Sequence, residues 1–249
     1  MRLALYTFFS VVLAATGSGC ATLAAADPNA LWHIVDGQCV MSMQSSGTPG
    51  FCTRVDLKAH YAILKDINGA SQYLLIPTER VMGIESPQIL ADDAPPYWSE
   101  AWGARTYVQK AVRQDLGDEQ LGLEINSPYR RSQSQLHIHI DCMRNDVIEK
   151  LARHRGNTPG KWHWDTIDGN RYRVMRVTSI EGADDPFRVV ARELPKGTTM
   201  ASQTILVTGA GASAASDGWL IVNSSLDLDD GSGSAEPLMD HACKVARKS

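Results

Sequence analysis

The sequence predicts an α+β fold in which helices flank an antiparallel sheet. Apolar and polar residues alternate strictly in Gln135–Asp141, as in a strand with two different faces. Two other apolar runs, His60–Lys65 and Gln72–Pro77, are separated by a segment containing Asn68-Gly69, a pair typical of turns between antiparallel strands. Tyr97–Arg113 instead follows a helical period. Strand pairs followed by helices indicate an α+β arrangement.

The first half of the chain supplies most of the remaining elements. A short helix is expected over Asn29–Gln38, followed by a loop rich in Ser, Gly and Pro, and Asp92–Pro96 is a second loop. In the helix that begins at Tyr97, Trp98 and Trp102 fall near one stripe, and we expect them in the core rather than facing lipid. Leu121–Ser127 is predicted as a strand that precedes the alternating one.

The second half repeats this mixture more weakly. Strands are predicted over Tyr172–Val177, Thr204–Thr208 and Trp219–Asn223, and helices over Asn145–Arg155 and from a Ser234 cap through Ala246. The small-residue runs Gly209–Ser216 and Asp227–Ser234 are predicted as surface loops. The sequence contains no convincing internal repeat.

Composition is that of an ordinary globular protein. Of 249 residues, 43% are hydrophobic and 21% are charged. Residues 27–249 are enough for one large domain, the organisation we expect, although two small ones would also fit. The net charge of −4 and the lack of a long basic run argue against nucleic-acid binding. A substrate that carries phosphate must therefore be bound by local basic residues.

Residues 1–26 have the pattern of a targeting segment. Arg2 is followed by the uncharged stretch Leu3–Ala26, which ends in three alanines that signal peptidase can cut. The stretch is also long enough to span a membrane. A cleaved signal peptide, an uncleaved anchor and a lipoprotein signal that uses Cys20 all stay open, and each predicts export.

The other four cysteines form an even set, which suits disulfides in an exported chain. Cys39 and Cys52 flank the small Ser/Gly/Pro-rich loop, a natural segment to close. The remaining pair is Cys142 with Cys243, which would fix the C-terminal segment beside the alternating strand. The alternative is free buried thiols.

The alternating strand carries the residues with the clearest chemistry. As a strand it directs Leu136, Ile138 and Ile140 into a core and leaves Gln135, His137, His139 and Asp141 on the opposite face. Next-but-one residues on a strand lie about 6.6 Å apart, so both imidazoles can reach one small group.

Three interpretations of these histidines compete. They could lie on the wet face of a sheet. They could bind a metal with Asp141, because His-x-His-x-Asp resembles the opening of binuclear metallohydrolase motifs. Those motifs continue with another His, however, and Cys142 stands at that position. In the third interpretation one histidine is a nucleophile.

The third interpretation rests on a resemblance to the histidine-triad superfamily, whose motif alternates three histidines with apolar residues. More closely, the chain resembles the bacterial CDP-diacylglycerol pyrophosphatases over nearly all of its mature length. The shared features include the N-terminal apolar segment and the four later cysteines. The shared residues are Lys65-Asp66-x-Asn68-Gly69, Gln72-Tyr73-Leu74-Leu75, Pro77-Thr78, Glu85-Ser86-Pro87, Ala101-Trp102-x-Ala104-Arg105, Ile125-Asn126-Ser127, Pro186-Phe187 and Asp240-His241-x-Cys243.

The resemblance implies a histidine-triad-like fold and a role for each site residue. His137 corresponds to the nucleophile of the triad and His139 to its third member. Gln135 replaces the first histidine, and an amide can donate a hydrogen bond to phosphate but cannot act as an acid.

The resemblance also implies substrate-binding residues. Asp66 would hold the ribose hydroxyls, although a turn-capping role explains it equally well. Asn126 would support the phosphate side, and Arg130 and Arg131 could reach the pyrophosphate or simply belong to a solvated turn.

The implied activity is hydrolysis of CDP-diacylglycerol to CMP and phosphatidate through a nucleotidyl-histidine intermediate, with no cofactor or metal. The enzyme would be exported and would meet its lipid substrate at the periplasmic face of the inner membrane. Two alternatives are a metal-dependent hydrolase using His137, His139 and Asp141, and a nucleotide- or lipid-binding protein without turnover.

Overall fold

A single nine-stranded antiparallel sheet organises the structure, a computed structural model that describes residues 27–226 and 234–246. In chain order the strands are β1 (Arg54–Asp56), β2 (Tyr61–Lys65), β3 (Tyr73–Pro77), β4 (Leu121–Ile125), β5 (Ile138–Cys142), β6 (Trp162–Ile167), β7 (Asn170–Val177), β8 (Gln203–Gly209) and β9 (Trp219–Ser225). Their order in the sheet is β1-β2-β3-β5-β4-β8-β9-β7-β6, and all neighbours are antiparallel. The α+β prediction with an antiparallel sheet is therefore confirmed.

Short helices connect and cover the strands. The α-helices are α1 (Ala30–Ile34), α2 (Met41–Ser46), α3 (Tyr97–Ala104), α4 (Thr106–Val112), α5 (Asn145–Leu151), α6 (Pro186–Arg192) and α7 (Ala214–Asp217). A π-helical segment, Val35–Val40, joins α1 to α2 without a break.

The two halves of the sheet share one topology, which the sequence did not indicate. In the first half the β2–β3 hairpin is followed by helices α3 and α4, then by β4 and β5, and β5 returns beside β3. In the second half the β6–β7 hairpin is followed by α6, then by β8 and β9, and β9 returns beside β7. Strands β4 and β8 meet at the centre. We call the first ββαββ unit the site half and the second the plain half.

One face of the sheet is covered continuously and the other is not. On the first face the helical residues Trp98 and Phe187 pack in one core with Ile140 of β5 and Ile205 of β8. On the opposite face two smaller cores lie apart, one with the N-terminal helical segment and one with α5 and the C-terminal segment. The space between these two cores is where the polar face of β5 lies.

Most predicted elements are present, with shifted ends. The predicted strands correspond to β2, β3, β4, β5, β7, β8 and β9. The helix expected over Tyr97–Arg113 is divided at Arg105, whose guanidinium donates to the Trp102 carbonyl at 2.8 Å. Trp98 and Trp102 are buried, as predicted for core residues.

Several predictions were wrong. The first helix extends through Ser46 into the expected loop and ends at Gly47, which adopts a left-handed conformation with φ of 70°. In Gly209–Ser216, Gly209 belongs to β8 and Ala210 is buried, so the segment is not simply a surface loop. Strands β1 and β6 and helix α6 were not anticipated.

The predicted C-terminal helix is also absent from the described residues. Two 3-10 turns, Glu236–Leu238 and Lys244–Ala246, stand in its place. Pro237 lacks a backbone donor, and Met239 is extended because it pairs with Met143 at the end of β5. The segment is thus attached to the sheet instead of forming a helix.

Both expected disulfides, Cys39–Cys52 and Cys142–Cys243, are present, with Cα–Cα distances of 5.6 and 5.2 Å. Two disulfides suit an exported protein. Residues 1–26, and with them Cys20, lie outside the described residues, as does most of the loop predicted over Asp227–Ser234. Within residues 27–226 and 234–246, no helix has both the length and the apolar character needed to cross a membrane.

Candidate active site

A cavity of about 290 Å³ opens on the polar face of the site half. One wall is apolar and comes from α1, β2 and β3; the other is polar and comes from β5, the turn before it and the C-terminal segment. The lining residues are Ala30, Leu31, Ile34, Leu64, Lys65, Asp66, Ile67, Asn68, Leu74, Asn126, Arg130, Arg131, Ser132, Gln133, His137, His139 and Glu236. A concave site with an apolar wall and a few convergent polar groups is the usual form of a small-ligand site.

His139 of β5 and His137, the residue directly before β5, both face this cavity. Leu136, Ile138 and Ile140 are buried in the core on the helical face, as alternation predicts. His137 and His139 therefore point the other way, with ring centroids 5.0 Å apart. Each histidine is only 8% exposed, so the interpretation as a wet sheet face is wrong.

The hydrogen bond of His137 fixes the position of its proton. Its Nδ1 lies 2.7 Å from the backbone carbonyl of Gln135. A carbonyl can only accept, so Nδ1 carries the hydrogen and Nε2 carries a lone pair. The lone pair of His137 is thus held on the ring nitrogen that makes no such bond.

Burial keeps both histidines neutral. Removal from water, together with the neighbouring His139, lowers the pKa of His137 to about 4. Burial also lowers the pKa of His139. At neutral pH both rings are therefore uncharged imidazoles, the form that a nitrogen nucleophile requires.

An acidic and cationic cluster borders the histidines. His241 Nδ1 donates to Asp141 Oδ2 at 2.9 Å, and its Nε2 lies 3.4 Å from Glu236 Oε1. These two carboxylates raise the pKa of His241 to about 10, so it is an imidazolium. The bond with His241 in turn lowers the pKa of Glu236 to about 2, which keeps a carboxylate at the cavity wall.

Glu124 and Asn126 extend this cluster beneath the cavity. Asn126 Nδ2 lies 3.2 Å from both Glu124 Oε2 and Glu236 Oε2, while Asn126 Oδ1 is buried without a partner. Glu124 is the cross-strand neighbour of His139. Complete burial, with the charge of Glu236 nearby, raises the pKa of Glu124 well above its usual value.

The expected substrate-binding residues all line the cavity. Asp66 accepts from the Asn68 backbone N–H at 2.9 Å and from Gln72 Nε2 at 2.7 Å, so it does cap its turn while facing the cavity. The side chain of Arg131 is 7% exposed and forms a two-pronged ion pair with Glu85. Arg130 and Asn126 complete the set.

Gln135 does not take the position that was expected. Its amide Nε2 donates to the carbonyls of Pro77 at 3.2 Å and Glu79 at 2.8 Å, and its side chain does not line the cavity. Both amide hydrogens are thus used to attach the start of the His segment to the end of β3. The structure therefore corrects the expectation that this amide donates to phosphate.

The ligand set of the metal interpretation is not brought together. Asp141 is fully buried and accepts from Ser71 Oγ at 2.6 Å as well as from His241. In the part of the chain that the structure describes, no group of three or more His, Cys, Asp or Glu side chains is placed to hold a metal ion.

Four polar residues of the site had not been assigned roles: Gln72, Glu124, Glu236 and His241. Gln72 Nε2 lies 2.8 Å from His139 Nδ1. Glu124 had a sequence signal, because an acid inside the apolar run of Leu121–Ile125 needs a partner. The other three contact the site from distant parts of the chain.

Comparisons with known proteins find relatives over most of the chain. A family model described as CDP-diacylglycerol pyrophosphatase matches residues 26–247. A Yersinia pestis protein described as a CDP-diacylglycerol pyrophosphatase is 37% identical over 220 residues, which cover 87% of this chain and 84% of that protein.

Proposed function

The chain belongs to the CDP-diacylglycerol pyrophosphatase family, and from this premise we propose that it hydrolyses CDP-diacylglycerol to CMP and phosphatidate through a nucleotidyl-histidine intermediate on His137. The observation that carries the mechanism is the hydrogen bond between His137 Nδ1 and the Gln135 carbonyl. It prepares Nε2 as a nucleophile. A histidine-triad-like fold for the site half belongs to the same proposal and is supported by the position of His137, directly before the antiparallel strand β5.

The reaction proceeds in two displacements. His137 Nε2 bonds to the cytidylyl phosphorus while the bond from that phosphorus to the bridging oxygen breaks, and phosphatidate leaves with the electron pair. A water oxygen then attacks the same phosphorus, the phosphorus–nitrogen bond breaks, and the protons of water pass to CMP and solvent. The Gln135 carbonyl stabilises the cationic ring of the intermediate, because Nδ1–H continues to donate to it.

Donors around the cavity supply the charge stabilisation. His139 faces the same space as the nucleophile and can donate to a non-bridging oxygen. Arg130 and Arg131 line the cavity from the turn before β5 and can meet the second phosphate. The ion pair with Glu85 holds the Arg131 guanidinium in place without a long-range positive field.

The size of the cavity limits what it encloses. About 290 Å³ is at the small end of ligand pockets, so it takes a nucleotide-sized group and not two acyl chains. Asp66 lines the cavity and can accept from ribose hydroxyls while it also accepts from Asn68 and Gln72. The diacylglycerol part of the substrate must therefore stay outside the protein, in the lipid.

We place the mouth of the cavity against the membrane surface on this account. Ile67 is 98% exposed and lines the cavity, and Tyr129, next to Arg130, is 66% exposed. In the sequence the N-terminal apolar segment precedes α1, and α1 contributes to the apolar wall. Export to the periplasmic face, with residues 27–249 as one domain, completes the proposal, and the two disulfides support export.

The test of the chemistry uses the full chain in detergent micelles with CDP-diacylglycerol labelled in the cytidylyl phosphate. We expect release of labelled CMP and, on rapid quenching, an acid-sensitive adduct on the peptide that contains His137. CMP release without any adduct would reject the covalent mechanism. Tight substrate binding without CMP release would favour a binding protein without turnover. CMP release that EDTA abolishes and added zinc restores would favour a metal-dependent hydrolase.

The membrane arrangement has a separate test. Ile67→Ser should lower activity on CDP-diacylglycerol in vesicles by a few fold and leave activity on soluble CDP-glycerol unchanged. Trp164→Ser removes an exposed aromatic residue, 58% accessible, from the plain half and is the matched control. Equal loss on both substrates, or equal loss in the control, would contradict the arrangement.

A further inference from the structure

Gln72 links two residues of the proposed site from a fully enclosed position. It is 1% exposed and directly precedes β3. Its Nε2 lies 2.7 Å from Asp66 Oδ2 and 2.8 Å from His139 Nδ1. One amide nitrogen thus contacts both the residue proposed for the ribose and the histidine proposed as a phosphate donor.

The chemistry of these three groups fixes the direction of each hydrogen bond. A carboxylate only accepts, so one hydrogen of the Gln72 amide goes to Asp66. If the amide were rotated by half a turn, its oxygen would face the Asp66 carboxylate, which is unfavourable. The second hydrogen of the amide nitrogen therefore points at His139 Nδ1, which must accept it.

From this arrangement we infer that Gln72 is a positioning residue, which holds the proton of His139 on Nε2 and so makes this histidine a hydrogen-bond donor to the substrate. Asp66 fixes the orientation of the Gln72 amide, with its carboxylate anchored by the Asn68 backbone N–H at 2.9 Å. The inference deepens the proposed function and rests on it for the substrate and for the role of His139 as a donor.

The two histidines then carry opposite tautomers. His137 has its proton on Nδ1, because it faces the Gln135 carbonyl, and presents a lone pair. His139 has its proton on Nε2, because it faces the Gln72 amide, and presents a donor. Two identical side chains 5.0 Å apart thus acquire the roles of nucleophile and donor from a single backbone carbonyl and a single amide.

The direct test is nitrogen NMR of the unliganded full-length protein labelled at histidine, which needs no turnover and so stands apart from the test of function. We expect His139 to show a protonated Nε2 and a bare Nδ1, with the reverse for His137. The signals are assigned with His137→Gln and His139→Gln variants. A proton on Nδ1 of His139 would overturn the inference.

Substitutions at Gln72 provide a kinetic test. Gln72→Met removes the amide and should lower kcat about 10–100-fold, the usual loss for a group that orients a functional histidine, with little change in KM. In a His139→Ala background the same change should have no further effect. An equal loss in both backgrounds would mean that Gln72 is merely structural.

The isosteric variant Gln72→Glu gives a sharper signature. A carboxylate at this position accepts from Nδ1–H, so His139 can donate from Nε2 only as an imidazolium. The activity of the Gln72→Glu variant should therefore fall at alkaline pH, where the imidazolium loses its proton, and the wild-type protein should lack this fall. Gln203→Met removes an equally buried glutamine, whose amide bonds Thr198, Thr199 and Ser202, and is the control for general destabilisation. A Gln72→Glu profile without this alkaline fall would contradict the inference.

Discussion

The site half and the plain half of the sheet have the same strand order but different chemistry on the same face. One row of cross-strand partners crosses both halves and consists of Leu74, His139, Glu124, Leu206, Val222 and Val174. In the site half the central members of the row are a histidine and an acid. In the plain half they are Leu206 and Val222, which lie in an apolar core. Topology alone therefore does not make the site.

What covers the face also differs between the halves. Over the plain half, Val147 and Leu151 of α5 and Leu238 of the C-terminal segment pack on Leu206 and Val222 in one continuous core. Over the site half the N-terminal helical segment covers β1 to β3 and leaves β5 open to the cavity. Both disulfides lie outside β6–β9 and attach segments around the open half. The site needs polar residues and also a gap in the covering layer.

The largest effect should come from removing the nucleophile. His137→Ala should lower kcat by about 10⁴-fold or more and abolish the adduct, because no neighbouring group can take over the attack. Val222→Ala, on the same face of the plain half, should cost about 1–3 kcal/mol of stability and leave the rate of the folded protein unchanged. Steady-state kinetics measure the rates of both variants, and urea unfolding measures their stabilities. Substantial turnover by the His137→Ala enzyme would show that His137 is not the nucleophile.

The second effect concerns the attachment of the C-terminal segment. Loss of the Cys142–Cys243 bond in a Cys243→Ser variant should cost about 4–5 kcal/mol, against about 3 kcal/mol for Cys52→Ser, because the closed loop is longer. Only Cys243→Ser should also lower kcat/KM in the folded protein, since it releases Glu236 and His241 from the site. Urea unfolding and assays at low urea separate the two effects. Equal activity in both variants would show that the segment stays in place without its disulfide.

The third prediction separates the two histidines. His139→Ala should reduce kcat about 10²–10³-fold, the usual loss of one transition-state donor, while the adduct on His137 still forms. Quenched-flow mass spectrometry of the labelled enzyme checks this directly. An adduct on His139 in the wild-type protein would reverse the two roles.

Much of this comparison could be predicted from local sequence. Strict alternation in Gln135–Asp141 identified both histidines and the core face of β5, because a period of two is the defining property of a strand. Helix α6 also begins with residues typical of a helix start, because Asp185 accepts from the Phe187 backbone N–H at 2.9 Å and Pro186 occupies the first turn. Edge strands β1 and β6 are short or largely exposed and lack such a pattern.

The rest could not be predicted because it depends on contacts between distant residues. Gln72 meets His139 across 67 positions, and His241 meets Asp141 across 100. The displacement of Gln135 follows from its bonds to the end of β3, a contact across 56 to 58 positions. The histidine-triad-like assignment and the roles of the site residues stay predictions until the experiments above are done.

The fourth prediction is the pH dependence of the site. An unperturbed histidine titrates near 6.5, but burial lowers the pKa of His137 to about 4. Protonation removes the lone pair, so kcat/KM should stay level down to about pH 4 and then fall tenfold per unit. A fall in kcat/KM that begins near pH 6.5 instead would mean that water reaches the cavity and that His137 is not buried in the free enzyme.

The smallest effect concerns His241, the cation that holds Glu236 and Asp141 together. Its pKa is raised to about 10 in the folded protein, above the unfolded value near 6.5. Protonated His241 therefore stabilises the folded state. This stabilisation is fully present below pH 6.5 and is lost as the pH rises through about 10. Wild-type protein should therefore lose more stability between pH 6.5 and 10 than a His241→Gln variant does, by a modest margin because the side chain is 35% exposed. Urea midpoints at the two pH values measure the difference, and His163→Gln, an exposed histidine on β6, is the control from the plain half. If His241→Gln lost as much stability between the two pH values as the wild type, Asp141 and Glu236 would be held by the Cys142–Cys243 attachment alone. The charge of His241 would then not distinguish the two halves.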